Sequence, residues 1–381
     1  MLKRLQRKTQ LISGAVAVAI ALELAGCSAR DTNTSNTAPV DRNQTQATPA
    51  STPAQTSAPK PKVVVTTGVL CDLTREIAQN TIDITCLIKP GQDPHTYQAQ
   101  PEDRKAIETA NLIFYGGYNL EPTLLKLIKS TTNPALKIAV HEKAVPKPLM
   151  GDEHEQEEES HNSHSDEKTE TSDHNHTEGE LVADPHVWHN ARNGIGIVTA
   201  ISDELEKLTP SNAGLYSRNA KKLTGELEQL DTWIKAQIAT VPADKRKLIT
   251  THDALSYYAN AYGLEIAGAL QGVSTEEQPT PKRIAELSEE IKSTGVPTIF
   301  AETTVNPKLI EAVAREANVK ISTQELYSDG LGSPGSSADT YEGMLVANTC
   351  AIGIDYTLLK PNNYVTDRRH YLLAIVKFLS I

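Results

Sequence analysis

The first half of the chain alternates between short apolar runs and segments with helical periodicity. The run Val63-Val64-Val65-Thr66-Thr67 is β-branched, which is typical of a strand buried on both faces. Because strands and helices alternate from there to residue 140, we expect a parallel sheet with helices on its faces. Further strands are predicted at 82–88, 111–117 and 136–140, and helices at 71–80, 101–110 and 121–130.

The second half begins with two helical segments, after which predicted strands and helices alternate again. Apolar residues recur at helical spacing over 195–208. Thr209-Pro210 then makes a good helix start, and a stripe of Leu and Ile continues to residue 240. Thirty-one helical residues would span about 46 Å, enough to run along two lobes. Strands are predicted at 247–251, 264–270, 297–302 and 319–326, and helices at 253–263, 281–295 and 307–318.

These patterns predict an α/β protein of two lobes, each a mainly parallel sheet flanked by helices, bridged by one long helix. Roughly 320 residues follow residue 60, more than one core usually organises. We therefore assign residues 61–209 to an N-terminal lobe, 210–240 to the bridging helix and 241–381 to a C-terminal lobe.

The N-terminus has the pattern of an export signal. Four basic residues precede an apolar run that ends at Gly26, so residues 1–26 are predicted to be a signal peptide. Leu24-Ala25-Gly26-Cys27 resembles a lipoprotein cleavage box, in which Cys27 becomes the lipidated first residue; the alternative is an uncleaved membrane anchor. Residues 27–60 carry almost no large apolar side chain, so we expect a disordered tether with a reach on the order of 30 Å. No later segment is long and apolar enough to span a bilayer.

Residues 151–180 interrupt the alternation with a run of acids and histidines. The segment has twelve acidic residues and no apolar periodicity, so we expect a long loop without regular structure. Its histidines are irregularly spaced, which favours weak, rapidly exchanging metal binding over one fixed site; the alternative is a solvated acidic spacer. The histidines are His154, His161, His164, His174 and His176.

Charge and cysteine content narrow the function classes. The formal net charge is −11, and removal of the basic signal would make the chain more acidic, which argues against a nucleic-acid partner. Cys71 and Cys86 lie in one βαβ unit of an exported protein, so we expect a disulfide between them, the alternative being two buried thiols. Cys350 is then an unpaired, buried thiol.

Four polar residues follow strands or open helices, where α/β sheets collect ligands. Two of them end Asp-Pro-His triplets, in which proline stiffens the turn that carries the histidine. Two come from each predicted lobe, so they are expected to meet in the cleft between lobes. They are His95, His186, His252 and Asp329.

The chain also resembles a known family, the metal-binding substrate-binding lipoproteins of bacterial ABC transporters (cluster A-I, ZnuA/TroA type). The resemblance extends from about Lys62 to the C-terminus. It is carried by "KPGQDPHTYQAQPEDRKAIETANLIFYGGYNLEP", "DPHVWHNARNG", "TTHDALSYYANAYGL", "FAETTVNPKLIEAVAREANV" and "LYSDGLG". It implies two α/β lobes joined by a rigid helix, with a metal held between them by the same four residues.

The donor set favours zinc over manganese as the bound ion. Three imidazoles and one carboxylate suit a four-coordinate zinc ion, whereas manganese prefers more oxygen donors. Manganese-preferring members of the family usually have glutamate where this chain has His252. Many zinc-binding members lack a carboxylate at the position of Asp329. Because manganese prefers oxygen donors, manganese is the alternative ion.

The remaining candidates have weaker support. Glu302, at the end of a predicted strand, either orients a metal ligand or is an ordinary capping acid. His189 shares a helical face with His186 but is expected at the surface. No sequence feature near His141 or His370 indicates a functional role, so both are expected to be ordinary surface residues.

The resemblance implies an extracytoplasmic protein that captures zinc, or manganese, and delivers it to a membrane permease with its ATPase. We expect a monomer anchored by lipid to the membrane and facing the periplasm or the cell exterior, with no enzymatic role. One rival is a zinc metallohydrolase, which would need an open coordination position. The other is a cell-surface adhesin in which the metal is structural.

Overall fold

The computed structural model describes residues 59–153 and 180–357. The predicted signal peptide, Cys27, nearly all of the tether, the five loop histidines and His370 lie outside these residues. Among the described helices, none combines the length and the apolar character that crossing a bilayer requires.

The N-lobe is built on a four-stranded parallel sheet. Its strands are β1 (Lys62–Val65), β2 (Asp83–Cys86), β3 (Leu112–Tyr115) and β4 (Leu136–Ala139), in the order β2-β1-β3-β4. The three valines of β1 are buried, as the β-branched run predicts for a central strand. The crossovers are α1 (Gly68–Ala78), α2 (Pro101–Thr109) and α3 (Pro122–Ser130), the last two with proline in the first turn.

A β-hairpin follows the N-lobe sheet where the sequence pattern indicates only a loop. A short helix, α4 (Val140–Ala144), leads to β5 (Met150–Glu153), which pairs antiparallel with β6 (Glu180–Ala183). The structureless loop predicted at 151–180 is therefore bounded by paired strands. Strand β5 has almost no apolar periodicity, because Met150 and Asp152 are exposed and Gly151 has no side chain to bury.

Two long helices form the centre of the molecule. Helix α5 (Ala191–Leu208) is followed by a 3-10 turn at Pro210–Asn212 and by α6 (Ala213–Ala239). Twenty-seven residues make α6 about 40 Å long. It packs against α5 and α1, and its buried stripe is Leu223, Leu227, Leu230, Ile234 and Ile238.

The C-lobe repeats the strand order of the N-lobe. Strand β7 (Lys247–His252) pairs in parallel with β8 (Glu265–Gln271), and β9 (Thr298–Ile299) with β10 (Lys320–Ile321). A hydrogen bond of 3.1 Å from the Phe300 N–H to the Ile249 carbonyl joins the two pairs of strands. The helices are α7 (Ser256–Tyr262), α8 (Pro281–Thr294), α9 (Pro307–Ala317) and α10 (Tyr341–Thr357), of which α10 packs back on α6.

The structure joins Cys71 of α1 to Cys86 of β2 in a disulfide, with the two Cα atoms 5.9 Å apart. The bond closes the first βαβ unit and ties α1 to the edge strand of the N-lobe sheet. Cys350 is a free, buried cysteine in α10.

Candidate metal centre between the lobes

Four side chains from four separate segments of the chain converge where the lobes face each other. Each contributes one ligand atom, and these atoms all lie within 4.8 Å of one another. All four residues are at most 4 % exposed. They are the four that the sequence singles out: His95 after β2, His186 before α5, His252 at the end of β7 and Asp329 after β10.

Four of the six separations between ligand atoms lie between 3.2 and 3.6 Å, near the values around a small four-coordinate ion. The Nε2 atoms of His95 and His186 are 3.2 Å apart. Asp329 Oδ1 lies 3.2 Å from His186 Nε2 and 3.4 Å from His252 Nε2. With bonds of about 2.0–2.1 Å, a tetrahedral zinc ion separates its ligand atoms by about 3.3–3.4 Å.

Two of these atoms lack a hydrogen-bond partner. Within the described residues, His252 Nε2 and Asp329 Oδ1 are buried and make no hydrogen bond. A buried polar atom left without a partner costs about 1–3 kcal/mol, so such atoms are rare in folded proteins. A bound cation would satisfy both at once.

His186 is oriented by the aspartate of its own triplet. Asp184 Oδ1 accepts the backbone N–H of His186 at 2.9 Å. This is an Asx-turn, in which the side chain of an aspartate accepts a hydrogen bond from the backbone two residues on. The same oxygen lies 2.8 Å from His186 Nδ1. Since a carboxylate only accepts, Nδ1 carries the proton and Nε2 is left to face the other ligands. This role of Asp184 was not predicted, although the repeated triplet contained the signal.

His252 is oriented in the same way by Glu302. One Glu302 oxygen bonds to Nδ1 of His252, and the other accepts the backbone N–H groups of Thr251 and His252 at 2.7 and 3.0 Å. Glu302 is 2 % exposed. Of the two alternatives for this residue, the contact with an imidazole matches a group that orients a ligand.

The fourth ligand atom belongs to a carboxylate whose other oxygen is already bonded. Asp329 Oδ2 accepts the hydroxyl of Thr304 at 3.0 Å and that of Ser328 at 3.3 Å. These bonds leave Oδ1 directed at the three imidazoles. The arrangement presents one oxygen donor rather than a bidentate carboxylate.

The charges of the cluster shift its pKa values in opposite directions. Burial lowers the pKa of His186, but the bond to Asp184 and the nearby Asp329 carboxylate outweigh it and raise the pKa to about 9. Burial also opposes ionisation of His252, yet Glu302 and Asp329 raise its pKa well above the ordinary value. Burial favours a neutral Asp329, but the adjacent histidines hold its pKa well below the usual range. The cluster therefore favours positive charge at its centre.

Two histidines predicted at the surface are buried, so those predictions are wrong. His189 is fully buried and donates from Nε2 to the Ser328 carbonyl at 2.7 Å. His141 is also fully buried and packs against Trp188, with the ring centroids 5.2 Å apart and the rings tilted by 43°. Burial lowers the pKa of each to about 3, so both are neutral. The short helical turn that carries His189 packs inward, and helical spacing alone does not reveal that.

A cavity of about 280 Å³ opens beside His95. Its lining includes Tyr118 of the N-lobe, Val182 of the hairpin and Val273 of the C-lobe. The hairpin also reaches the C-lobe directly, because the Val273 N–H donates to the Asp152 carbonyl at 3.2 Å. His95 is the one cluster residue that lines this cavity.

Comparison with known proteins agrees with the fold and with the resemblance. A family model described as zinc-uptake complex component A periplasmic (ZnuA) matches residues 63–353. The manganese ABC transporter substrate-binding lipoprotein PsaA of Streptococcus mitis is 32% identical over 299 residues, which cover 77% of this chain and 88% of PsaA. The manganese-binding lipoprotein MntA of Halalkalibacterium halodurans is 28% identical over 334 residues, 87% of this chain and 94% of MntA.

A solved structure supports the same assignment. The periplasmic zinc binding protein TroA from Treponema pallidum superposes with a TM-score of 0.67 at 30% identity, covering 78% of this chain and 99% of TroA. The predicted α/β fold of two lobes is thus confirmed. The chain belongs to the ZnuA family, the metal-binding substrate-binding components of ABC transporters.

Proposed function

We propose that the protein captures a zinc ion between its lobes and delivers it to an ABC permease for import. The observation that carries this proposal is the convergence of three imidazole nitrogens and one carboxylate oxygen in a buried cluster. The ion is cargo, bound by His95, His186, His252 and Asp329. Substrate-binding components of this family work with a permease and its ATPase, which supplies the energy for import.

Zinc is favoured by the chemistry of the donors. Neutral imidazole nitrogens are good zinc ligands, and the carboxylates of Asp184 and Glu302 hold two of the three histidines in the tautomer that presents Nε2. Three nitrogen donors and one oxygen donor also suit zinc better than manganese, which prefers a shell rich in oxygen.

Manganese is the second candidate, because PsaA and MntA are both named for it. A competition titration of the metal-free protein decides between the two ions. We expect zinc to displace manganese at equimolar concentration. If manganese instead displaces zinc, the cargo is manganese. A His252→Glu variant, which exchanges a nitrogen for an oxygen donor, should move the preference toward manganese.

A role in catalysis is not part of the proposal. A metallohydrolase keeps one coordination position open for water, whereas here a fourth protein atom, Asp329 Oδ1, belongs to the cluster. A structural metal, as in the adhesin alternative, would be needed for folding. We expect a His95→Ala variant to bind zinc much more weakly and yet to stay folded when no metal is bound, as circular dichroism would show. A parent or variant that is unfolded without metal would favour the structural role.

The anchoring and the loop also remain proposals. We infer that Cys27 is lipidated and tethers a monomer to the membrane. Labelling with radioactive palmitate tests this when the parent is compared with a Cys27→Ala variant.

We further infer that the five histidines between β5 and β6 add weak metal sites. Replacing residues 155–178 by a short Gly-Asn turn is designed to keep the hairpin. We expect this variant to lose the weak sites and to keep the tight one. Loss of the tight site would mean that the loop, not the cluster, binds the ion tightly.

A further inference from the structure

The carboxylate of Asp93 joins the two lobes at the metal centre. Its Oδ1 accepts the backbone N–H of His95 at 2.9 Å. Its Oδ2 accepts the hydroxyl of Thr275 at 2.5 Å. Thr275 lies in the C-lobe after β8 and is 4 % exposed. A buried hydroxyl of one lobe therefore holds the turn that carries a ligand of the other.

The loop that carries Thr275 is itself ordered by hydrogen bonds. The side-chain amide of Gln271 donates to the Glu277 carbonyl at 2.6 Å and to the Thr275 carbonyl at 3.4 Å. The Val273 N–H is bonded to the hairpin. Because the loop is fixed at both ends, the Thr275 hydroxyl has a defined position before it meets Asp93.

His95 depends on this contact more than the other histidines depend on theirs. The imidazoles of His186 and His252 are each held at Nδ1 by a carboxylate of their own lobe. Within the described residues, no carboxylate is bonded to Nδ1 of His95. His95 also lines the cavity beside the cluster. Its place on the ion is thus set by its turn.

We propose that Thr275 is a positioning residue whose cross-lobe hydrogen bond to Asp93 keeps His95 on the ion and sets how long the ion stays bound. This inference rests on the proposed function. Because the two bonded groups belong to different lobes, separation of the lobes breaks the bond and frees the His95 turn. Release of the ion into the neighbouring cavity is thereby coupled to lobe separation.

The test is the rate at which zinc leaves the full-length protein when an excess of chelator is added. Thr275→Val keeps the size of the side chain but removes the hydroxyl, and should speed release about tenfold, as expected for loss of a hydrogen bond to a charged group. Thr275→Ser restores the hydroxyl and should release zinc at nearly the parent rate. Thr323→Val makes the same chemical change at an exposed C-lobe threonine and serves as the control.

A double-mutant cycle shows whether the hydroxyl acts through Asp93. Asp93→Ala should speed release at least as much as Thr275→Val, and adding Thr275→Val to it should have no further effect. An unchanged rate in Thr275→Val, no rescue by serine, or an undiminished effect in the Asp93→Ala background would each overturn the proposal. If the parent itself binds no zinc tightly, the proposed function fails instead; tight parent binding with an unaltered Thr275→Val overturns only the positioning role.

Discussion

The two Asp-Pro-His turns share one sequence and one backbone hydrogen bond but hold their histidines differently. In both, the aspartate accepts the backbone N–H of the histidine at 2.9 Å. Asp184 is fully buried and bonds the ring of His186 as well. Asp93 is partly exposed and uses its second oxygen for Thr275 of the other lobe.

The comparison separates what a local motif specifies from what its surroundings specify. The aspartate and the proline determine the turn in both cases, because the bond to the backbone two residues on is local. The orientation of the ring depends on whether the aspartate lies beneath it or faces the other lobe. One turn therefore gives a ligand fixed within its lobe, and the other a ligand fixed only when the lobes meet.

Removal of the ligands themselves should show the largest difference between the turns. We expect His186→Ala to lower zinc affinity on the order of a thousandfold, since it removes one of four bonds in a fully buried site. His95→Ala should cost about a hundredfold, because water from the adjacent cavity can take its place. Isothermal titration with a competing chelator measures both. Equal losses would contradict the difference between the turns.

The next effect concerns the two aspartates. Asp184→Asn should weaken zinc binding about thirtyfold, in the range seen when a group that orients a ligand is changed. An amide still accepts the backbone bond but no longer provides the charge that favours a proton on Nδ1. Asp93→Asn should have a much smaller effect, because its amide can donate to the Thr275 oxygen. The same titration measures both variants. A larger loss of zinc affinity in Asp93→Asn than in Asp184→Asn would contradict the view that Asp184 alone orients the ring of its histidine.

Much of this centre could be predicted from the sequence because its ligands follow strands. His252 ends a β-branched strand, and Asp329 comes shortly after another, so the carboxyl-end rule for parallel sheets locates them. The buried valines of β1 and the stripe of α6 were equally visible, since each follows from side-chain periodicity.

Two of the contacts that orient the ligands join residues far apart in the chain; Glu302 was a candidate for such a role, but the partner of neither contact could be predicted. Glu302 meets His252 across 50 residues, and Thr275 meets Asp93 across 182. The hairpin of β5 and β6 was missed because its strands are short and Met150, Asp152 and Leu181 are exposed, which leaves no apolar pattern. His141 and His189 are buried by packing against Trp188, a tertiary effect that no local signal records.

The pH dependence of zinc binding should be steep, because the pKa values of two ligands, His186 and His252, are raised. In the metal-free protein the pKa of His186 is raised to about 9, so zinc must displace a proton from Nε2 at neutral pH. The affinity should then rise about tenfold per pH unit for each displaced proton between pH 7 and about 9. Asp184→Asn should flatten the rise, since it removes a charge that favours the proton. Calorimetry in buffers of different ionisation enthalpy counts the protons.

The same shift predicts an opposite trend for the metal-free fold. The pKa of His186 is higher in the folded state, about 9, than in the unfolded chain, about 6.5, so its protonation stabilises the fold. This stabilisation is complete below about pH 6.5 and is lost as the pH rises through about 9. Thermal unfolding of the metal-free protein should therefore occur at lower temperature as the pH rises. A constant unfolding temperature would contradict the pKa assignment.

The smallest expected difference concerns the two prolines, which are both buried. Replacing either by alanine should lower the free energy of unfolding by about 0.4–1 kcal/mol, because the unfolded chain gains conformational freedom. Zinc release should respond differently. Pro185→Ala leaves His186 held by Asp184, so the rate should hardly change. Pro94→Ala loosens a turn whose histidine has no such support within its lobe, and a roughly threefold faster release is expected from a loss of that size. Chelator-induced release measures both; equal rates would mean that the Asp93 turn is as firmly held as the Asp184 turn.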